Sequence, residues 1–178
     1  MAKKQAKINQ ALEEIKSGVM SRVKVGLMTL EEDGDLSVLK PLVDILVNAK
    51  VGTIEILEFL SSLKVSAAAD EMIKIIQDHD YPEWRQVLLS TLWNSKVDYS
   101  YFLADIVEIA VDGNFMEALE CLTIIENMEG PFEERHILES QLHLKDYLED
   151  DAPKDPQKAQ IMSEIALLLR DFDLEVED

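Results

Sequence analysis

"DHDYPEWRQVLLSTL", residues 78–92, decides how this chain is read. Pro82 suits the first turn of a helix, where its missing N–H removes no hydrogen bond, and no glycine interrupts the run that follows. At about 100° per residue, Trp84, Val87, Leu88, Leu89, Leu92 and Trp93 sweep an arc wider than a single buried face. Glu83, Gln86, Ser90 and Asn94 share the narrow remainder. A helix with so thin a wet strip touches its own partner and neighbours on both sides, as an inner element of a stack does. Arg85 falls inside the apolar arc, between Leu92 and Leu89, and its guanidinium must find partners there, because an isolated buried charge is costly.

Working outward, apolar residues recur at spacings of three and four with few glycines, so the helical period holds almost everywhere. Ile8, Leu12, Ile15, Val19, Val23, Leu27 and Leu30 form a first stripe, stopped by "EEDGD" (31–35) and open to a break at Gly18 or Gly26. Helices are then expected over about 36–49, with Pro41 near the first turn; over 53–63, capped by Thr53; and over 66–80, capped by Ser66. The sequence continues in the same way over 81–95, 98–113, 114–128, 131–150 and 155–172. Joints this short force neighbouring helices antiparallel, which makes the chain a run of helical hairpins.

The hairpins resemble one another. Asn48, Asp78 and Asp112 each end a first helix, with core pairs two and five residues earlier at Val43 and Leu46, Ile73 and Ile76, and Val107 and Ala110. Val51, Tyr81 and Phe115 follow three positions later, and the aligned sites recur every 30–34 residues, a spacing typical of helical repeats. On these residues, "DHDYPEWRQVLLSTL" resembles the HEAT repeat of the HEAT and armadillo superfamily: an acidic turn residue, a short gap, an apolar-Arg step and a leucine-rich second helix. The third hairpin keeps Asp112 but carries Leu119 at the Arg position, and the first has Asn48 with no basic residue there. The resemblance implies an all-α, right-handed α-α superhelix of about four hairpins over 36–173. Residues 1–35 would be an amphipathic helical segment capping the same domain, and 174–178 an acidic tail. It also implies that Asp78 is the turn acid and Arg85 the cation of an inter-repeat ladder.

In the third hairpin, Glu126 lies close in angle to Phe115, Leu119 and Leu122, inside an apolar arc of its own. Arg85 is therefore expected to pair with a carboxylate of the following hairpin, Asp112 or Glu126. Removing one member of such a buried pair would cost about 3–5 kcal/mol.

The composition narrows the function. A chain of 178 residues fits one domain and can bury a core without staples. A single cysteine, Cys121, excludes an internal disulfide and a cysteine zinc cluster, and its setting among Leu119 and Leu122 reads as packing. The lysine-bearing start lacks the apolar run of a secretory signal, and no stretch approaches the roughly 20 apolar residues of a membrane span. A cytoplasmic protein is expected. The net charge is −19, yet residues 1–24 carry six cations against two acids. A surface so acidic repels a phosphate backbone, so nucleic acid is not an expected partner.

Chemistry is sparsely signalled. Glu133 and His136 have the Glu-x-x-His spacing of di-iron bundles, and His136, Glu139 and His143 share a helical face, but the second such motif a di-iron site needs does not occur. Two exposed histidines on a solvated helix are expected instead. There is no phosphate loop and no calcium-loop spacing. The leading expectation is a non-enzymatic scaffold without a cofactor, binding a protein partner with a basic or extended segment along stacked helices. Glu83, Gln86, Ser90 and Asn94 in one unit, with Glu117 and Glu120 in the next, would line that face. Two other readings stay open: self-association through the first helical segment, and metal binding by the 133–143 helix.

Overall fold

The computed structural model describes residues 2–63, 66–78, 80–95 and 97–177, and all of its regular elements are helical. Among the described residues, ten α-helices follow one another: α1 (Ala2–Lys16), α2 (Met20–Asp33), α3 (Leu39–Asn48), α4 (Thr53–Ser61), α5 (Ser66–Gln77), α6 (Arg85–Asn94), α7 (Leu103–Asp112), α8 (Phe115–Glu126), α9 (Glu134–Glu149) and α10 (Pro156–Glu177). The fold is all-α. Contacts divide it into two compact units, Met1–Trp84 and Arg85–Asp178.

In the first unit α1 packs on α2 and α3, α3 on α4 and α5, and α2 on α4. Odd and even helices thus form two layers, α1–α3–α5 and α2–α4. The first stripe of the sequence breaks at Gly18, whose φ of 67° suits a turn that L-residues avoid. Gly26 has a different task. It sits buried inside α2, where a Cβ would lie 2.6 Å from the Ala11 carbonyl oxygen and 2.7 Å from Ile15 Cγ1. Only hydrogen at that position lets the two helices close over Ile8, Ala11 and Ile15, each buried. Lys7 reaches Asp33 at 2.9 Å, Lys4 reaches Asp35 at 3.9 Å and Arg22 reaches Glu14 at 2.5 Å. Half of the cations in the first 24 residues are thus neutralised inside this unit.

The second unit repeats the plan. The even helices α6, α8 and α10 are successive neighbours, α7 packs on α9, and α7–α8 and α9–α10 close the hairpins. Val107 and Ala110 are fully buried here, as are Val43 and Leu46 in the first unit, with Ile73 and Ile76 nearly so. Asn48, Asp78 and Asp112 all stand exposed at the ends of their helices. Full burial of a Val, Leu or Ile contributes roughly 1.5–3 kcal/mol, so each such side chain in these pairs weighs as much as a charge-assisted hydrogen bond.

Several helix limits differ from those expected. Residues 81–84 form a turn closed by the Trp84 N–H on the Tyr81 carbonyl at 3.0 Å, and α6 starts only at Arg85, so Pro82 precedes the helix. Tyr81 is biased to extended backbone by the following proline, and its hydroxyl donates to Asp44 Oδ1 at 2.5 Å, which fixes the chain before the helix can begin. Gly52 at φ 86°, not Thr53, is the N-cap of α4; a Cβ on it would meet Val23 Cγ1 at 2.7 Å. The cap expected of Ser66 rests on a side chain outside the described residues, as does the end of the 174–178 tail. The part of that tail that is described continues α10 to Glu177, with no glycine or proline after Arg170 to stop it.

Candidate functional site

The side of α6 that meets α8 carries a polar arrangement around one carboxylate. Glu120, half-buried on α8, accepts the Trp93 indole N–H at 2.9 Å with one oxygen and the Gln86 amide at 3.4 Å with the other. Gln86 and Trp93 are seven residues apart and so stand on one side of α6, with Ser90 between them. Trp93 nevertheless leaves 39% of its surface open, and Met116, one turn before Glu120, leaves 41%. A large ring is thereby held at its N–H by a carboxylate while part of the residue stays open to solvent. Ser90 Oγ donates to the Val87 carbonyl at 2.7 Å and the Asn94 amide to the Ser90 carbonyl at 2.8 Å, so both are partly occupied by their own helix.

Of the other two acids expected on this face, one is drawn inward and one precedes α6. Glu117 is buried and closes the capping box of α8: its Oε2 accepts the Asn114 N–H at 2.8 Å while Asn114 Oδ1 accepts the N–H groups of Met116 and Glu117. Gly113 leaves room for it, since a Cβ there would lie 2.7 Å from Glu117 Oε2. Glu83 is exposed in the turn that belongs to the first unit. Trp93 and Met116, which sequence reasoning left out, are the additions; the seven-residue step from Gln86 to Trp93 was the available signal.

Arg85 ends at the C-terminus of α7. Its Nη2 donates to the Ile109 carbonyl at 3.3 Å, Nη1 lies 3.9 Å from Asp112 Oδ2, and Nε is buried without a hydrogen-bond partner. Lys158, from the first turn of α10, donates to the Val111 carbonyl at 2.5 Å and the Gly113 carbonyl at 2.6 Å. Two cations from flanking helices therefore meet carbonyls at this helix end, that of Ile109 also accepting the Gly113 N–H at 2.9 Å, and they oppose its negative dipole end. Burial lowers the Lys158 ammonium below its ordinary range, with Arg85 adding to the effect and Asp112 and Glu117 opposing it. Glu126 takes no part: it is the exposed last residue of α8, because the helix ends where its apolar arc would have enclosed it. Asp78 pairs within the first unit with Lys40, at 3.2 Å. Lys40 also reaches Asp80 at 3.2 Å and lies 5.1 Å from the centre of the Tyr81 ring; Tyr81, then Asp78 and Asp80, raise its ammonium above the usual value.

The helix considered for metal places its side chains apart. Glu133 and Glu139 are exposed, His143 is half-buried, and no group of three or more metal-ligating side chains gathers among the described residues. His136 is buried, contrary to the expected exposed pair, because α9 turns His136, Ile137, Ser140 and Leu144 inward. Its ring meets Tyr101 edge-on at 5.0 Å, and its Nε2 accepts from Arg135 Nη2 at 2.9 Å, which leaves the proton on a buried Nδ1 with no partner. Cys121 is fully buried, and burial pushes its thiol well above the ordinary value.

Electrostatically the second unit dominates. Residues 85–178 hold 22 Asp and Glu against 7 Lys and Arg, a net −15 of the chain's −19. No helix of the described residues is long and apolar enough to cross a membrane. No protein-family model, curated protein or solved structure matches the chain.

Proposed function

We propose that the chain is a HEAT-like helical-repeat module that binds an extended, basic protein segment along the side shared by α6 and α8. The observation that carries this reading is Trp93, half-open to solvent yet fixed by Glu120. Tryptophans held in one rotamer are the commonest energetic anchors of protein interfaces, since little side-chain entropy is lost on binding. The indole face also attracts a Lys or Arg of the partner, and Met116 beside Glu120 offers an adaptable apolar contact. The surplus of 15 negative charges on this unit adds steering toward a basic segment. The layered succession of α6, α8 and α10, together with the recurrent core pairs, supports the repeat architecture that the resemblance implies. The cationic first segment, paired with Glu14, Asp33 and Asp35 of its own unit, fits a capping role better than an exposed interaction arm.

The test is selection of a peptide-display library on the full chain, followed by affinity measurement with Trp93→Ala and Glu120→Gln variants. Selected peptides should be rich in Lys and Arg, and the Trp93 variant should bind them roughly 30-fold or more weakly, as loss of an anchor worth about 2 kcal/mol requires. Peptides without basic enrichment, or with equal affinity for both variants and wild type, would refute the assignment.

A further inference from the structure

The outward sides of α9 and α10 carry an apolar surface that no helix of the second unit covers. On α9, Leu138, Leu142, Lys145 and Glu149 follow one another at helical spacing along one strip; on α10, Ser163, Leu167, Arg170 and Leu174 do the same. The four leucines are 49%, 58%, 52% and 58% exposed, and Leu148 at the end of α9 is 69% exposed. Between the two helices runs a shallow groove of about 330 Å³, lined by Gln141, Leu144, Lys145, Leu148, Ala166 and Leu169. Leu148 alone of these five lines the groove; the other four stand on the two strips. Isolated exposed leucines need no explanation, but five on two neighbouring helices do.

Charge selects the occupant. In a unit of net −15, this face holds Lys145 and Arg170, each beside a carboxylate, with Lys145 3.8 Å from Glu149 and Arg170 3.0 Å from Asp171. These two pairs leave no net charge to attract a basic segment, whereas a surface bearing both signs in neighbouring places can be complementary to itself under a two-fold rotation. We propose that the α9–α10 face is a two-fold interface with a second copy of this chain, which buries the leucine strips of both copies against each other. Its salt response follows from the same charges. Two units of net −15 repel one another, so screening strengthens this apolar contact, while it weakens the binding of a basic segment at α6 and α8.

The test is sedimentation velocity of the full chain over a concentration series in 50 and 500 mM NaCl, with Leu142→Asp and Leu167→Asp variants verified as folded by circular dichroism. Both substitutions fall on exposed positions and leave the core intact. The expected result is a monomer–dimer equilibrium whose dissociation constant falls several-fold at high salt, and which each substitution weakens at least 10-fold. A chain that stays monomeric at 100 µM in both salts would overturn the proposal, and so would a dimer indifferent to both substitutions. Species that grow beyond the dimer with concentration would replace the two-fold contact by a head-to-tail one. Binding of an 18-residue amphipathic Lys/Leu peptide to the monomer, lost in Leu142→Asp, would assign the face to a basic helix instead.

Discussion

Replacement of Arg85 separates charge from packing in a way the structure makes quantitative. Its guanidinium holds one carbonyl at 3.3 Å and one largely exposed carboxylate at 3.9 Å, while a buried Nε lacks an acceptor. Loss of the charge-assisted bond costs about 1.5–3 kcal/mol, but loss of the unsatisfied N–H returns about 1–3 kcal/mol. In Arg85→Met, which keeps most of the stem, these contributions nearly cancel, and stability should stay within about 1 kcal/mol of wild type. Arg85→Ala also removes two methylenes of the buried stem, at about 0.8 kcal/mol for each CH₂, and should cost roughly 1.5–2 kcal/mol. Urea unfolding followed by far-UV circular dichroism, with amide exchange of α6–α8 to localise the change, measures both. A loss of 3 kcal/mol or more in Arg85→Met would mean that the ion pair is stringent, as the sequence alone suggests, and that the two contributions do not offset each other.

Gly26→Ala should destabilise the first unit by about 1–3 kcal/mol, because the added Cβ overlaps backbone of α1 and the helices must part; a thermal melt unchanged from wild type would contradict the close approach. Cys121 should resist Ellman's reagent at pH 8 and become labelled only as urea opens the second unit, since burial disfavours the reactive thiolate. Labelling within seconds in native buffer would refute its burial. Burial first, then Asp44, raises the Tyr81 phenol above its usual value, with Lys40 opposing. A folded value above the unfolded one contributes stability that is fully present below pH 10 and lost as pH rises through the folded value. That loss should be smaller in Tyr81→Phe than in wild type in stability measurements between pH 9 and 12, the remainder coming from Tyr99 and Tyr147, whose phenols burial also raises; equal losses in the two proteins would refute the Tyr81 contribution.

Periodicity made the helices readable because it reports burial directly, and the aligned core pairs 43/46, 73/76 and 107/110 are all enclosed. Helix starts were less legible, since side chains that act at a distance set them. Tyr81 is held by Asp44, 37 residues away, which delays α6 until Arg85. One local signal went unused: Asp35 and Asp98 each accept from the N–H and hydroxyl of a serine two residues on, and this Asp-x-Ser step introduces both α3 and α7. Angular arguments also failed where a helix end or a cap intervened. Glu126 escapes its arc because α8 stops there, and Glu117 leaves the surface because the capping box claims it. The wet strip of α6 runs through Gln86, Ser90 and Asn94; residue type places Trp93 in the core, although its angle sets it beside Gln86.

The binding account rests on Trp93, and its own emission reports on it. In a Trp84→Phe background Trp93 is the sole tryptophan, so titration with a selected basic peptide should shift and saturate its fluorescence. The apparent affinity should fall as NaCl rises from 50 to 500 mM, and Glu120→Gln should weaken it. A peptide that binds the chain without changing Trp93 emission, or with an affinity indifferent to salt, would contradict the claim that this side of α6 and α8 is where a partner docks.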